Sequence, residues 1–388
     1  MHLILCIDNI GNINKTNLKK RNPGVDLIRL ISSYLIMLTH FIFYGKVITK
    51  YIKYKKYIFV IHFLTDWHNN AFALISGFIG FKTNRYSNLL YLWLTVFFYS
   101  VGIHLYIQKF KKNYTIKRPI SFEFFPIIFQ RYWYFTSYFG MYLFLPVVNK
   151  GISNITKYEL KFVVITTLGI FVLWRDFKNK YYDVFNINKG YSMIWLLILY
   201  LTGAYIGKYW VYYYGKQKFF FCFKCLFIYL FSTYLFTKVN LNEFNIGKGY
   251  FQNNLLLLLK KIFSARFDSF LKVTQSITLC LFFFQLNYNQ YIAKIICFLG
   301  PLAFGVYLIH YHPIISSNYL KHVFDDSKKE LSLNSVIILI LFKPFKMYVF
   351  CLFIEYLRNK LFMLLKLRKA CIFLEIKLKE ILIYFENN

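Results

Sequence analysis

The chain has 388 residues, 58% of them hydrophobic and 22% aromatic, and a formal net charge of +32. A soluble chain of this length divides into about two or three domains, but no polar, Gly/Ser-rich or Pro-rich linker separates such units, and the mean hydropathy is +0.43. The basicity does not indicate nucleic acid, because a nucleic-acid binder gathers its cations on one face or arm. Here Lys and Arg punctuate the gaps between apolar runs, in KYIKYKK (50–56), KFKKNYTIKR (109–118) and KLFMLLKLRK (360–369). Part of that charge follows from a composition rich in Lys, Asn, Ile, Tyr and Phe, and the rest suits anionic lipid headgroups, at about 1 kcal/mol per well-placed cation.

Residues 1–20 read as a polar lead, since HLILCI is too short for a signal-peptide core and the first span then serves as an uncleaved anchor. That span, Gly24 to Gly45, is GVDLIRLISSYLIMLTHFIFYG. At about 100° per residue, Asp26, Arg29, Ser33 and His40 fall on one helical face. Ionisable groups in hydrocarbon cost roughly 2.5–3.5 kcal/mol each at mid-depth, so the stripe is expected to face a protein interior or a wet cavity. Two readings are open. Asp26 and Arg29 form an i,i+3 pair at the headgroups, with Arg29 snorkelling and His40 bonding between helices. Alternatively, His40, about 16 Å from Arg29 along the axis, is a base at mid-membrane and Arg29 a cation near the cytoplasmic mouth.

The second span, YIFVIHFLTDWHNNAFALISGFIGF, is interrupted at Asp66, His68, Asn69 and Asn70, which indicates a water-accessible cavity. Its end, Ser76-Gly77 with Gly80, is a small-residue pattern for close helix packing. No G-x-S-x-G makes Ser76 a nucleophile. Lys82 and Arg85 beyond it are candidate phosphate contacts, or equally a headgroup-facing loop. Further spans are expected near 88–108, 125–148, 160–175, 193–213, 219–237, 271–288, 292–316 and 334–356, about ten in all at this length scale. The fold class is thus an all-α polytopic membrane protein, one domain over 21–357, followed by a basic amphipathic tail over 358–388 whose stretch 358–384 suits an interfacial helix.

Within the fourth span, Arg131, Trp133, Thr136 and Tyr138 stand at the start and Pro146 and Asn149 are expected to end the helix. An interfacial aromatic belt accounts for Trp133 and Tyr138, and Trp133 is also a candidate substrate contact. In GVYLIHYHP, His310 and His312 point about 200° apart on a helix, which suits no shared metal, and no HExxH occurs. Glu355 and Arg358 form a second i,i+3 pair of structural type. The seven cysteines lie mostly in apolar runs; Cys222 and Cys225 form a C-x-x-C that lacks the second pair a zinc site needs. No metal ligand set and no bound cofactor are expected. An even span count and basic clusters at both ends place the termini in the cytoplasm, although the loops then left outside, 46–56 and 108–124, are also rich in lysine.

Taken in order, GVDLIRLISSYLIMLTH, AFALISGFIGF with its following Lys/Arg pair, YWYFTSYFGMYLFLPVVN, LYLTGAYIGKY and FGVYLIHYHP resemble the acyltransferase 3 family over residues 21 to 358. These are multi-pass membrane enzymes that O-acylate cell-surface carbohydrates. The resemblance implies transfer of an acyl group, commonly acetyl from acetyl-CoA, to a hydroxyl of a polysaccharide or lipid-linked sugar at the plasma membrane. It carries the essential histidine onto His40, the preceding arginine onto Arg29 and a basic residue after the SGF segment onto Arg85, although that segment is sparse here, KTNRYS. His310 matches the YLIH element. A hydroxyl needs a base as it attacks, and neutral histidine suits that near pH 7. Arg29, beside Asp26, and Arg85 would hold donor phosphate, which guanidinium matches bidentately; no oxyanion donor is identifiable. The rival is a carrier or flippase for a lipid-linked sugar, which paired halves would favour; no repeat is present. A glycosyltransferase would place acidic residues on long outer loops, and the acidic residues here are few and scattered.

Overall fold

The computed structural model describes residues 21–111, 113–174, 183, 185–241, 266–327 and 330–387, so the lead at 1–20 lies outside the described residues. Every described element is helical. The principal ones are α1 (Pro23–Tyr44), α2 (Lys55–Thr65), α3 (His68–Gly80), α4 (Tyr86–Phe110), α5 (Trp133–Asn154), α6 (Lys157–Leu168, continued by a π-helical turn to Trp174), α7 (Met193–Lys208), α8 (Gly215–Asn240), α9 (Phe270–Gln285), α10 (Gln290–Leu299), α11 (Ala303–His310), α12 (Leu333–Leu364) and α13 (Leu367–Asn387). The protein is an all-α membrane protein; helices occur in each of the ten expected segments, but the second is two helices, the fourth begins only at Trp133, and ten crossings are not established. Five units have full crossing length and apolarity, namely α1, α4, α8, α10 with α11, and α12, whereas α7 and α9 are apolar but shorter.

Local chemistry sets where α1 begins. The Asn22 side chain accepts from Gly24 N at 2.8 Å, and Pro23, which has no N–H to leave unmet, opens the first turn. The same Asn22 donates to Phe284 O at 2.8 Å, tying the start of α1 to the end of α9. α3 and α7 meet through the small residues. A Cβ on Gly77 would lie 1.9 Å from Tyr200 O, and one on Gly203 would lie 2.0 Å from Leu74 O. Only hydrogen at both positions permits that approach.

The interruption of the second span is a true break between α2 and α3. Its exposed carbonyls are met by side chains from neighbouring helices: Tyr229 and the Trp67 indole donate to Leu64 O at 2.7 and 3.1 Å, and Ser276 donates to Trp67 O at 3.0 Å. Irregular backbone at membrane depth persists where neighbours satisfy it in this way.

Two expectations are corrected. Pro146 does not end its helix, because α5 runs on to Asn154; a proline removes one ladder hydrogen bond, and the helix continues beyond it here. The break before the amphipathic tail falls at Lys366, in left-handed backbone at φ 52°, not near 358. Arg358 is bound to Glu355 inside α12 and keeps that helix continuous to Leu364.

α1 and α3 run antiparallel. Thr39 Oγ1 meets His68 Nε2 at 3.2 Å at one end, while Phe78 packs on Phe284, the Asn22 partner, with ring centres 4.2 Å apart at the other. The start of α1 therefore shares an end with Lys82 and Arg85. His40 and the α2–α3 break share the opposite end.

Candidate active site

At that opposite end a cavity of about 1090 Å³ is lined by residues of α1, α2, α3, α5 and α11 and of the segments before α7 and α9. His40 and Trp133 both line it. His40 sits four residues before the end of α1 at Tyr44, so it lies at the cavity end of the span and not at its middle.

The histidine is oriented by a chain of hydrogen bonds. His310 Nδ1 lies 2.6 Å from Val306 O, and a carbonyl can only accept, so that nitrogen carries the hydrogen. The Nε2 of neutral His310 is then an acceptor, and His40 Nδ1 donates to it at 3.0 Å. The lone pair of His40 is thereby placed on Nε2. Tyr311 stacks on the His40 ring at 4.6 Å and Tyr44 meets it edge-on at 5.7 Å. His312, two residues on, faces elsewhere: its Nδ1 accepts from Ile314 N and its Nε2 donates to Ser100 O, each at 3.2 Å.

The cavity floor is the α2–α3 break. Asp66 is buried there, with Lys272 Nζ at 3.2 Å, His62 at 3.7 Å and His68 at 3.9 Å. Lys272 is wholly buried and rests its ammonium on the Phe236 ring at 4.3 Å. One wall is aromatic: Trp133 contacts Tyr191 at 4.4 Å and lies nearly parallel to Phe267 at 6.3 Å. Asn70 holds that wall by donating to Phe267 O at 2.7 Å while accepting from the Trp195 indole at 3.1 Å.

Along α1 from His40, the stripe leads inward. Ser33 meets Tyr348 OH at 3.0 Å. Arg29 is 2% exposed, so it does not snorkel. Its Nη1 donates to Asp26 Oδ1 at 2.8 Å, while Arg21 Nε lies 2.6 Å from Asp26 Oδ2. Arg29 Nε and Nη2 are buried without a hydrogen-bond partner, as is Ser32 Oγ. Tyr134 stacks on Tyr138 at 6.4 Å, and Tyr307 stacks on Tyr311 at 5.4 Å. Arg29 and His40 stand about 16 Å apart along α1, and Arg29 is not among the residues lining the His40 cavity.

Lys82 and Arg85 are exposed on the α3–α4 loop, away from the cavity. That loop is held by Asn149, which donates to Thr83 O at 3.0 Å and Asn84 Oδ1 at 2.9 Å and accepts from Tyr200 at 2.8 Å. Sequence reasoning left several residues of the site off the candidate list. Lys272, buried behind Asp66 as a single cation within an apolar span, carried a usable signal; the lining residues Tyr191 and Phe267 come from connecting segments and carried none.

Together these features define a membrane protein, helical throughout its described residues, with a hydrogen-bonded histidine pair at a polar cavity. A family model described as an acyltransferase domain, Acyl_transf_3, matches residues 22–354. The chain belongs to the acyltransferase 3 family and is a membrane acyl-transferring enzyme. No curated protein matches it, and no solved structure does.

Proposed function

We propose that the protein transfers an acyl group, acetyl in the reading favoured here, from acyl-CoA to a hydroxyl of a cell-surface or exported carbohydrate at the plasma membrane. The observation that carries this reading is the His310–His40 chain, which leaves an imidazole acceptor, Nε2, on a half-buried residue lining a cavity. The acceptor hydroxyl gives its proton to Nε2 as its oxygen attacks the thioester carbon. The His40 imidazolium keeps its Nδ1–H on His310. Collapse of the tetrahedral intermediate breaks the C–S bond, and the departing thiolate takes the proton back from Nε2. No covalent acyl-enzyme is needed. The tyrosines against His40, Tyr44 and Tyr311, bring the nearest hydroxyl-bearing rings to a developing oxyanion.

Arg29 supports a phosphate-bearing donor. Its two unmet guanidinium nitrogens are an anion site in all but the anion. A donor anchored at Arg29 and reacting at His40 has a charged end and a long, thin arm carrying the acyl group, a shape that acyl-CoA has. Trp133, Tyr191 and Phe267 offer flat apolar faces on which sugar rings stack.

The test is mass spectrometry of surface glycan from cells with and without the protein, paired with transfer from labelled acetyl-CoA by purified protein. An acetyl increment that depends on the protein is expected. Unchanged glycan together with a lost sugar-transport activity would return the chain to the carrier reading.

A further inference from the structure

The lysines of residues 50–56 are unexplained by topology, because the positive-inside rule places such clusters in the cytoplasm and these stand at the His40 end of α1. The structure gives them a location. Lys53, Lys55 and Lys56 line the rim of the His40 cavity, and Lys189 and Arg266 join them from the segments before α7 and α9. Among the described lining residues one carboxylate, Asp66, stands against these cations, and it faces Lys272 at 3.2 Å. Arg266 is already paired with Asp268 at 3.3 Å, which leaves the lysines as the rim's ligand-facing charge.

Lys189 adds a separate sign of selection for position. Its backbone lies in the left-handed region at φ 58°, strained for a lysine, and the next residue, Gly190, is at φ 92°. The turn is built by Asp183, whose carboxylate accepts from Ile187 N at 2.9 Å. A Cβ on Gly190 would meet Phe267 Cβ at 2.7 Å, so the turn is locked against the aromatic wall. The turn thereby fixes Lys189 at the edge of the cavity.

We propose that the acceptor is an anionic carbohydrate, one bearing carboxylate or phosphate, held by Lys53, Lys55, Lys56 and Lys189 while its sugar ring lies on Trp133. This rests on the acyl-transfer reading and names its substrate class. A cleft rimmed by one sign of charge concentrates opposite charge and speeds its capture, and the effect fades with salt as the Debye length falls to about 8 Å at physiological ionic strength.

The experiment uses the full chain in nanodiscs of zwitterionic phosphatidylcholine, which removes anionic headgroups as competitors. Acetyl transfer from labelled acetyl-CoA is compared among a neutral glucan oligomer, a uronate oligomer and a phosphodiester-linked glycan oligomer. Binding of each is read in parallel by tryptophan emission, with Trp133→Phe as control. The kcat/KM for an anionic acceptor is expected to exceed the neutral one by about tenfold and to fall with salt. The ratio falls towards one in Lys53→Gln/Lys55→Gln/Lys56→Gln and partly in Lys189→Asn, which keeps the left-handed turn. The two anionic oligomers separate carboxylate from phosphate. Equal use of neutral and anionic acceptors, or a ratio that the variants do not move, overturns the inference and leaves the acyl-transfer reading standing. Lysine variants that change only association with phosphatidylglycerol nanodiscs overturn it as well. Should no acceptor be acylated, the acyl-transfer reading fails, and the binding arm still decides: anionic preference sustains the charge assignment and its absence ends it.

Discussion

Arg29 and Arg358 stand in the same sequence setting, each three residues after a carboxylate within an apolar span, and the structure treats them oppositely. Arg358 is saturated. It bonds Glu355 through two nitrogens and also reaches Asn359, Tyr91 and Thr95, while its guanidinium rests on Phe362 at 4.5 Å. Tyr99 also donates to Glu355 Oε2 at 2.6 Å, the oxygen that accepts from Arg358 Nε. Arg29 has one hydrogen bond, to a carboxylate it shares with Arg21, and two buried nitrogens with none. A saturated pair locks helices together, whereas an unsaturated cation leaves binding capacity for something else. Spacing does not separate the two; counting the hydrogen bonds does.

The largest effect expected from an unsaturated group belongs to His40. His40→Ala should lower kcat by about 10²–10⁴, the range for loss of a general base, with expression and melting temperature near those of the parent. His310→Ala should cost about 10²-fold, through misorientation of His40, and should alter the pH–rate profile. Full activity of purified His40→Ala would remove it from the chemistry.

Next comes the saturated pair. Glu355→Ala leaves Arg358 buried without its main counter-charge and should destabilise the protein by about 3–5 kcal/mol, read by thermal or denaturant unfolding in detergent. The folded fraction should keep the parental donor KM. A changed donor KM at unchanged stability would erase the distinction between the two arginines.

Arg29→Lys sharpens it from the other side. Lysine keeps the charge and loses the fork, so donor KM should rise about tenfold while kcat and melting temperature move little. Asp26→Asn/Arg29→Gln should not restore it. A normal donor KM in Arg29→Lys, with the double variant better tolerated than either single change, would make Arg29 a structural residue like Arg358.

The smallest effect lies at the tail. Glu375 of α13 accepts from Ser87 N at 2.9 Å and Tyr86 N at 3.3 Å, capping α4 beside the Arg85 loop. Burial opposes its charge, but Lys379 and Ser87 outweigh that and hold its carboxyl below the usual range. Such a group stabilises docking above the unfolded carboxyl pKa of about 4.3, and the contribution is lost as pH falls through the lower folded value. Amide protection factors over 367–387, with the intrinsic pH dependence of exchange divided out, should therefore fall on acidification to about pH 3 and be unchanged between pH 6 and 8. Glu375→Gln should show no such dependence.

The sequence by itself determined the helical membrane class, the break at Asp66 and the packing role of Gly77, because apolar length, interrupting polar residues and small-residue spacing are local quantities. It also placed Asp26, Arg29, Ser33 and His40 on one face, since helical periodicity fixes azimuth. Tertiary structure decided what each of them meets. His310 is 270 residues from His40 along the chain, and no local pattern reports that its Nε2 sets the tautomer of the other ring. The same holds for Lys272 against Asp66, for Tyr191 and Phe267 against Trp133, and for the rim lysines that look like an ordinary loop until α2 turns them over the cavity. Whether a buried charge is saturated or left unmet depends on partners from other helices, and only packing brings those within 3 Å.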